Sequence, residues 1–241
     1  MWNVASIPSP LKKNVIHVWK YRVSDGISSM NDHLKLLSDQ EKQRADRYRF
    51  EVDRERFIIS HSILRILLGH YLGQEPDQIT FSFGHQQKPE LRDYKRLTFN
   101  MSHSEDYAVY GYCLDYDIGI DVEYVKKDIE FEIIARQFFS EKECAALFSL
   151  EKKNLATGFF NCWTRKEAFI KAIGDGLTFP LDQFAVTLKP GKSPELTELK
   201  SAPTSLKQWS LYAFSPREDY IGACAVNGPV STVNYFQFEK S

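Results

Sequence analysis

The sequence contains no apolar run approaching the roughly 20 residues that a membrane-spanning helix needs, so no membrane partner is expected. It has no CxxC pair. Cys113, Cys144, Cys162 and Cys224 stand apart, with no histidine at metal-ligand spacing from them. Zinc-finger and disulfide-framework readings fall away, and the cysteines read as small buried hydrophobes of a reduced compartment. There is no excess of charge either: 31 Lys and Arg face 32 Asp and Glu, a net −1. A basic face for duplex nucleic acid is therefore not implied. The opening stretch, Met1 to Lys13, is broken by Pro8 and Pro10 and carries no signal-peptide core. We expect a cytoplasmic, monomeric protein without nucleic-acid partners.

What is present begins with a core. Hydrophobic residues make up 43% of 241, enough for one large domain or two small ones. The chain then repeats itself. Leu36-Leu37-Ser38-Asp39-Gln40-Glu41 is echoed by Phe138-Phe139-Ser140-Glu141-Lys142-Glu143, each an apolar pair before a capping box. A long segment of helical apolar period follows each box, Asp53 to Leu72 and Asn154 to Ile173, and each is closed by glycine, Gly73 and Gly174. Asp77 to Phe81 is echoed by Asp182 to Val186, and Asp106-Tyr107-Ala108-Val109 by Asp219-Tyr220-Ile221-Gly222. Each half also enters on a strand, Val15 to Val23 and Asp117 to Glu123. Four echoes in one order predict an α+β fold of two pseudo-symmetric halves, residues 1–115 and 116–241, joined near Leu114 to Asp117. The cleft between them is the expected ligand site.

Three motifs carry chemistry. Ile118-Gly119-Ile120-Asp121-Val122-Glu123 alternates strictly, which puts Asp121 and Glu123 side by side on the face opposite the aliphatics. Crowded carboxylates repel, and a divalent cation relieves that. Oxygen-only ligands favour magnesium or manganese. An ordinary strand with acids on its wet face has the same pattern. Trp163, Glu167 and Lys171 stack four apart along one helix face. A surface Glu–Lys pair is the plain alternative, but Phe159, Phe160, Phe169 and Ile170 leave little of this helix for water. A Glu and a Lys partly buried there need partners, such as a metal and a phosphate. Asn100-Met101-Ser102-His103-Ser104 reads as a turn whose Ser and His suit phosphate oxygens, though a turn whose side chains satisfy their own backbone is the plainer reading of this motif alone. A Ser–His hydrolase is rejected, because adjacent residues in extended chain point apart and no GxSxG elbow exists.

Together and in order, these motifs resemble the signature of the Sfp-type 4′-phosphopantetheinyl transferases. The likeness takes in Phe99 to Ser104, Ile118 to Glu123, Phe138-Phe139-Ser140 with Glu143, Trp163 to Lys171, Gly174-Asp175-Gly176-Leu177 and Pro180-Leu181-Asp182. It runs from about Ser38 to Val226. It implies two α/β halves with coenzyme A between them, the nucleotide on the first and the metal and catalytic groups on the second. The activity implied is transfer of the 4′-phosphopantetheine group to a serine of an apo acyl or peptidyl carrier of fatty-acid, polyketide or peptide synthesis. Adenosine 3′,5′-bisphosphate is released.

By that resemblance Asp121, Glu123 and Glu167 hold Mg2+ (Mn2+ also serving), and Glu167 is the candidate base for the serine proton. Lys171 contacts the pyrophosphate, and Ser102 and His103 sit at the phosphates. Lys88 and Pro89 lie along the adenosine, and Arg56 and Lys42 near the 3′-phosphate. Two departures stand out: Gln87 replaces the glycine usual before the Lys-Pro pair, and Ala45 falls at a usually basic position, with Arg44 or Arg47 as substitutes. The segment Phe131 to Phe148 borders the site on both sides. Its surplus of apolar residues (Ile133, Ile134, Phe138, Phe139) with Arg136 and Lys142 marks it as the expected carrier surface, with a place in the core as the equal alternative for Phe138 and Phe139. The competing readings are a metal-dependent phosphohydrolase or nuclease, and a non-catalytic carrier-binding module. A nuclease usually spaces its Glu and Lys two apart on a strand, which is not the spacing here.

Overall fold

The structure is a computed structural model that describes residues 1–84, 88–126, 128, 130–174, 179–200 and 205–239. Gln87 and Asp175-Gly176-Leu177 lie outside the described residues. The strands are β1 (Asn3–Ala5), β2 (Val15–Arg22), β3 (Phe81–Phe83), β4 (Pro89–Leu91), β5 (Leu97–Ser104), β6 (Tyr107–Leu114), β7 (Ile118–Tyr124), β8 (Phe184–Val186), β9 (Leu196–Leu199), β10 (Trp209–Phe214), β11 (Tyr220–Asn227) and β12 (Thr232–Phe238). The helices are α1 (Met30–Leu36), α2 (Asp39–Ala45), α3 (Glu51–Leu72), α4 (Phe131–Phe138), α5 (Glu141–Phe148) and α6 (Leu155–Ile173).

The echoes in the sequence are echoes in space. Each capping box forms: Ser38 N donates to Glu41 Oε2 at 2.8 Å and Glu41 N to Ser38 Oγ at 3.3 Å, and Ser140 and Glu143 repeat the pair at the same two distances. Such a cap is worth about 1 kcal/mol. Both glutamates also hold a buried cation from the following long helix. Arg65 Nη2 lies 2.7 Å from Glu41 Oε2, and its Nη1 donates to the Pro76 and Ile79 carbonyls at 3.0 Å. Lys166 Nζ lies 2.8 Å from Glu143 Oε2 and donates to the Leu181 and Phe184 carbonyls at 2.7 Å. In each half one charge-assisted network thus ties box, helix and the single helical turn before the next strand. The long helices stop at Gly73 (φ 64°) and Gly174 (φ 86°), left-handed caps that L-residues adopt only with strain.

The strand order β5-β6-β2 of the first half recurs as β10-β11-β7 in the second, antiparallel throughout. The first sheet is longer. β12 and β1 extend it past β2 in parallel, giving β1-β12-β2-β6-β5. Residues 232–238 therefore lie in the first half's sheet, across the boundary expected at 115/116. An open β2 edge would be a row of unpaired donors and acceptors, and β12 covers it.

The halves meet where β5 and β7 run side by side. The Ile120 N–H donates to Asn100 Oδ1 at 2.9 Å and the Tyr124 N–H to Ser104 Oγ at 3.1 Å. Ile118, Ile120 and Val122 are fully buried with Ile16, Val18 and Val226. Gly119 faces the other way, onto α6. A Cβ there would collide with the Ala168 carbonyl oxygen and the Ala172 backbone nitrogen, so the helix packs against bare strand backbone.

Gly119→Ala should therefore cost about 3 kcal/mol or more, because the obstacle is backbone on both sides. Gly73→Ala has open space and should cost only about 1–2 kcal/mol, through its left-handed φ. Denaturant midpoints of the two variants test this, and a smaller loss at Gly119 than at Gly73 would contradict the close-approach reading.

Candidate active site

Residues at alternate positions of β5 and β7 and at four-residue spacing on α6 converge. Asp121 is 3% exposed. Its Oδ1 accepts from Ser102 Oγ at 2.9 Å and from Lys171 Nζ at 2.6 Å, and Lys171 Nζ also donates to Ser102 Oγ at 3.0 Å. Asp121 Oδ2 is buried without a partner. Two residues along β7, Glu123 Oε2 accepts from Ser104 Oγ at 2.8 Å. Burial and the Asp121 charge lift the Glu123 carboxyl to about 7, and the same two causes raise Glu167. Among the described residues, three carboxylates thus share one place with one ammonium, that of Lys171. The seam with β5 and the close approach at Gly119 set this crowding, so the side chains cannot spread apart.

A divalent cation suits this set. All donors are oxygen, burial and the Asp121 charge raise the carboxyl pKa of two, and one buried oxygen lacks any partner. Among the described residues no three His, Cys, Asp or Glu side chains already form a metal cage. In this arrangement the Lys171 ammonium occupies Asp121 Oδ1.

Next to the cluster opens a cleft of about 1110 Å3. Its walls come mostly from the first half: Arg44 on α2 and Arg47 just after it, Phe57 and His61 on α3, Phe81 and Phe83 on β3, with Pro89 and Arg92 nearby. Ser102, His103 and Lys171 line its inner end. Among the described residues Lys171 is the second half's contribution, so the described wall belongs more to one half than the symmetry suggested. The wall combines cations with aromatic faces, which suits an anion carrying a flat ring.

Ser102 and His103 lie inside β5, not on a turn. The ladder with β6 continues to Ser104↔Tyr107, and the reversal falls at Glu105, with φ 47°. Ser102 accordingly points to Asp121, while His103 feels Lys171 and Arg56. Burial and those two cations lower the His103 pKa. Arg56 is engaged, its Nη2 lying 2.5 Å from Glu105 Oε2 and its Nη1 3.5 Å from Asp53. Pro89 lines the cleft, whereas Lys88 turns away and donates to the Ile118 and Ala172 carbonyls at 3.2 and 2.9 Å. Lys42 is half-buried beside Asp39 and is absent from the cleft wall.

Sequence reasoning missed His61 and Arg92 in the cleft, and Lys166 as a buried anchor. His61 had a signal, since it follows Phe57 by one helical turn. In the segment Phe131 to Phe148, Phe139 is buried and Phe138 packs edge-on against Trp163. Both belong to the core, and Ile133 (60% exposed) and Phe148 (37% exposed) are the large apolar side chains left to solvent.

The Glu123 shift fixes a pH response. A carboxyl raised from 4.5 to about 7 binds its proton more tightly folded than unfolded. Its contribution is complete below pH 4.5 and is lost as pH rises through about 7. Thermal unfolding without divalent ions should show this fall, and Asp121→Asn should flatten it by removing the neighbouring charge. An Asp121→Asn protein with an unchanged slope would refute the coupling.

Comparison with known proteins agrees with the motifs. The sequence profile described as the 4′-phosphopantetheinyl transferase superfamily matches residues 117–225, and that described as 4′-phosphopantetheinyl transferase, N-terminal, matches residues 26–112. The chain is 35% identical over 229 residues to the 4′-phosphopantetheinyl transferase HetI of Nostoc sp., covering 92% of this chain and 93% of that one. It is 34% identical over 131 residues to the 4′-phosphopantetheinyl transferase Sfp of Bacillus subtilis, covering 54% and 57%.

Proposed function

The chain belongs to the 4′-phosphopantetheinyl transferase superfamily, and from that premise we propose that it moves the 4′-phosphopantetheine arm of coenzyme A onto a serine of an apo carrier protein. The observation that carries the reading is Asp121: one oxygen held by Ser102 and Lys171, the other buried and unpartnered, with the charges of Glu123 and Glu167 beside it and the cleft reaching Ser102 and Lys171.

Asp121, Glu123 and Glu167 would hold magnesium, with manganese as a substitute. Bound there, the ion supplies positive charge to the pyrophosphate oxygens. The aromatic and basic wall takes the nucleotide, so that the phosphate-bearing end reaches Ser102, His103 and Lys171. Lys171 is well placed to leave Asp121 for a phosphate oxygen, since a metal on the carboxylates takes over its charge partner. The serine oxygen attacks phosphorus, the bond from phosphorus to the adenosine bisphosphate oxygen breaks, and the serine proton passes to Glu167. Burial and the Asp121 charge, by raising the Glu167 pKa, make it the stronger base. A phosphohydrolase or nuclease would have to hydrolyse coenzyme A without a carrier, and a binding module would have no use for the acidic cluster.

Intact-mass measurement of apo carriers after incubation with enzyme, coenzyme A and magnesium tests the reading. The carrier should gain one phosphopantetheine only when all three are present. Asp121→Ala should fold and lose at least about 100-fold in rate. Coenzyme A cleavage without a carrier would establish the hydrolase instead.

The carrier is proposed to dock on α4 and α5, around Ile133 and Arg136. Arg136 is exposed, pairs with Glu132 at 2.7 Å and lies 5.0 Å from the Phe148 ring. Arg136→Glu should raise the KM for an acidic carrier about 5- to 10-fold and leave coenzyme A binding alone. No change at low salt would move the docking surface elsewhere.

A further inference from the structure

His61 sits in the cleft wall in a fixed orientation and a fixed tautomer. Its ring stacks on Phe57 with centroids 3.8 Å apart and planes 29° from parallel. Its Nδ1 lies 2.9 Å from the Phe57 carbonyl oxygen, one turn back on α3. A carbonyl can only accept, so Nδ1 carries the hydrogen, and in the neutral ring Nε2 presents a lone pair. Burial, with smaller contributions from His103 and Arg44 against the pull of Glu41, keeps the ring neutral and its pKa down at about 4. Among the charged groups of the surrounding wall, cations outnumber acids: Arg44, Arg47, Arg65, Arg92 and Lys171 against Glu41 and Asp77. A phosphate oxygen would find no donor at Nε2, whereas an amino or hydroxyl group would find an acceptor.

We propose that His61 is a specificity residue, whose Nε2 accepts a hydrogen bond from a neutral donor on the nucleotide end of the ligand. This rests on the reading that the cleft takes the nucleotide of coenzyme A. Two donors on that nucleotide have the required chemistry, the adenine amino group and the ribose 2′-hydroxyl. The guanidinium groups fix the anionic end through charge. The acceptor reads which base or sugar is attached, because a ligand lacking the donor leaves a buried lone pair unanswered. His61→Phe preserves the stack and removes the acceptor.

The experiment is calorimetric titration of wild type and His61→Phe with coenzyme A and two analogues, one with hypoxanthine for adenine and one lacking the 2′-hydroxyl. Wild type should bind one analogue about tenfold more weakly than coenzyme A. His61→Phe should lose that discrimination, and the analogue affected names the donor. Equal affinity of wild type for all three ligands overturns the proposal, whether or not the variant folds. Discrimination retained by a folded His61→Phe overturns it as well. Because binding is read without a carrier, the outcome is separate from that of the transferase reading. A protein that discriminates as stated yet never modifies a carrier would sink the function and leave His61 in its role.

Discussion

The arrangement rests on one absence of atoms: Gly119 has no side chain, and α6 lies directly on the backbone of β7. Any Cβ would push the helix outward. Glu167 and Lys171 are carried by that helix and Asp121 and Glu123 by that strand, so the separation of the four groups follows from this contact. The seam between β5 and β7 completes the frame, since Asn100 and Ser104 bond the strand backbone while Ser102 bonds the carboxylate between them. Position is therefore set by backbone packing, with little left to side-chain freedom.

Given that geometry, the electrostatics are strained by construction. Three carboxylates and one ammonium cannot all be charged and satisfied in a place this buried. Glu123 and Glu167 hold their protons longer, and Asp121 keeps an oxygen without a partner. Such unbalanced charge destabilises the free protein and favours whatever cation and anion arrive together. The contrast within the molecule is instructive. Glu41 with Arg65 and Glu143 with Lys166 are also buried charges, but each is matched one to one and bonded to carbonyls, and these pairs serve the fold.

Much of this was legible in the sequence. Strand alternation put Asp121 and Glu123 on the face opposite the aliphatics, and the four-residue spacing aligned Glu167 with Lys171, because both follow from local periodicity. The capping boxes and glycine stops marked the duplication for the same reason. What escaped were facts of tertiary placement. No local pattern says that Lys88 reaches back to the Ala172 carbonyl, or that Arg56 meets Glu105. Ser102 and His103 read as a turn because polar residues cluster there, whereas pairing with β6 draws them into a strand. Phe138 and Phe139 read equally as partner surface or as core, and the rings of Trp163 and Phe159 provide the core for them. Nor could the sequence show that β12 belongs to the first sheet, since parallel pairing with β2 links residues more than 200 positions apart.

That last pairing orders events in time. During synthesis β2 emerges among the earliest segments and β12 after every other strand. The first half can form its helices and the β5-β6-β2 ladder on the ribosome, but its sheet keeps an open edge until β12 arrives. The nascent chain must carry that exposed edge through translation of the entire second half. The half that emerges first is therefore the last to be finished, and a ribosome stalled within the second half would hold out a template for pairing with a neighbouring chain.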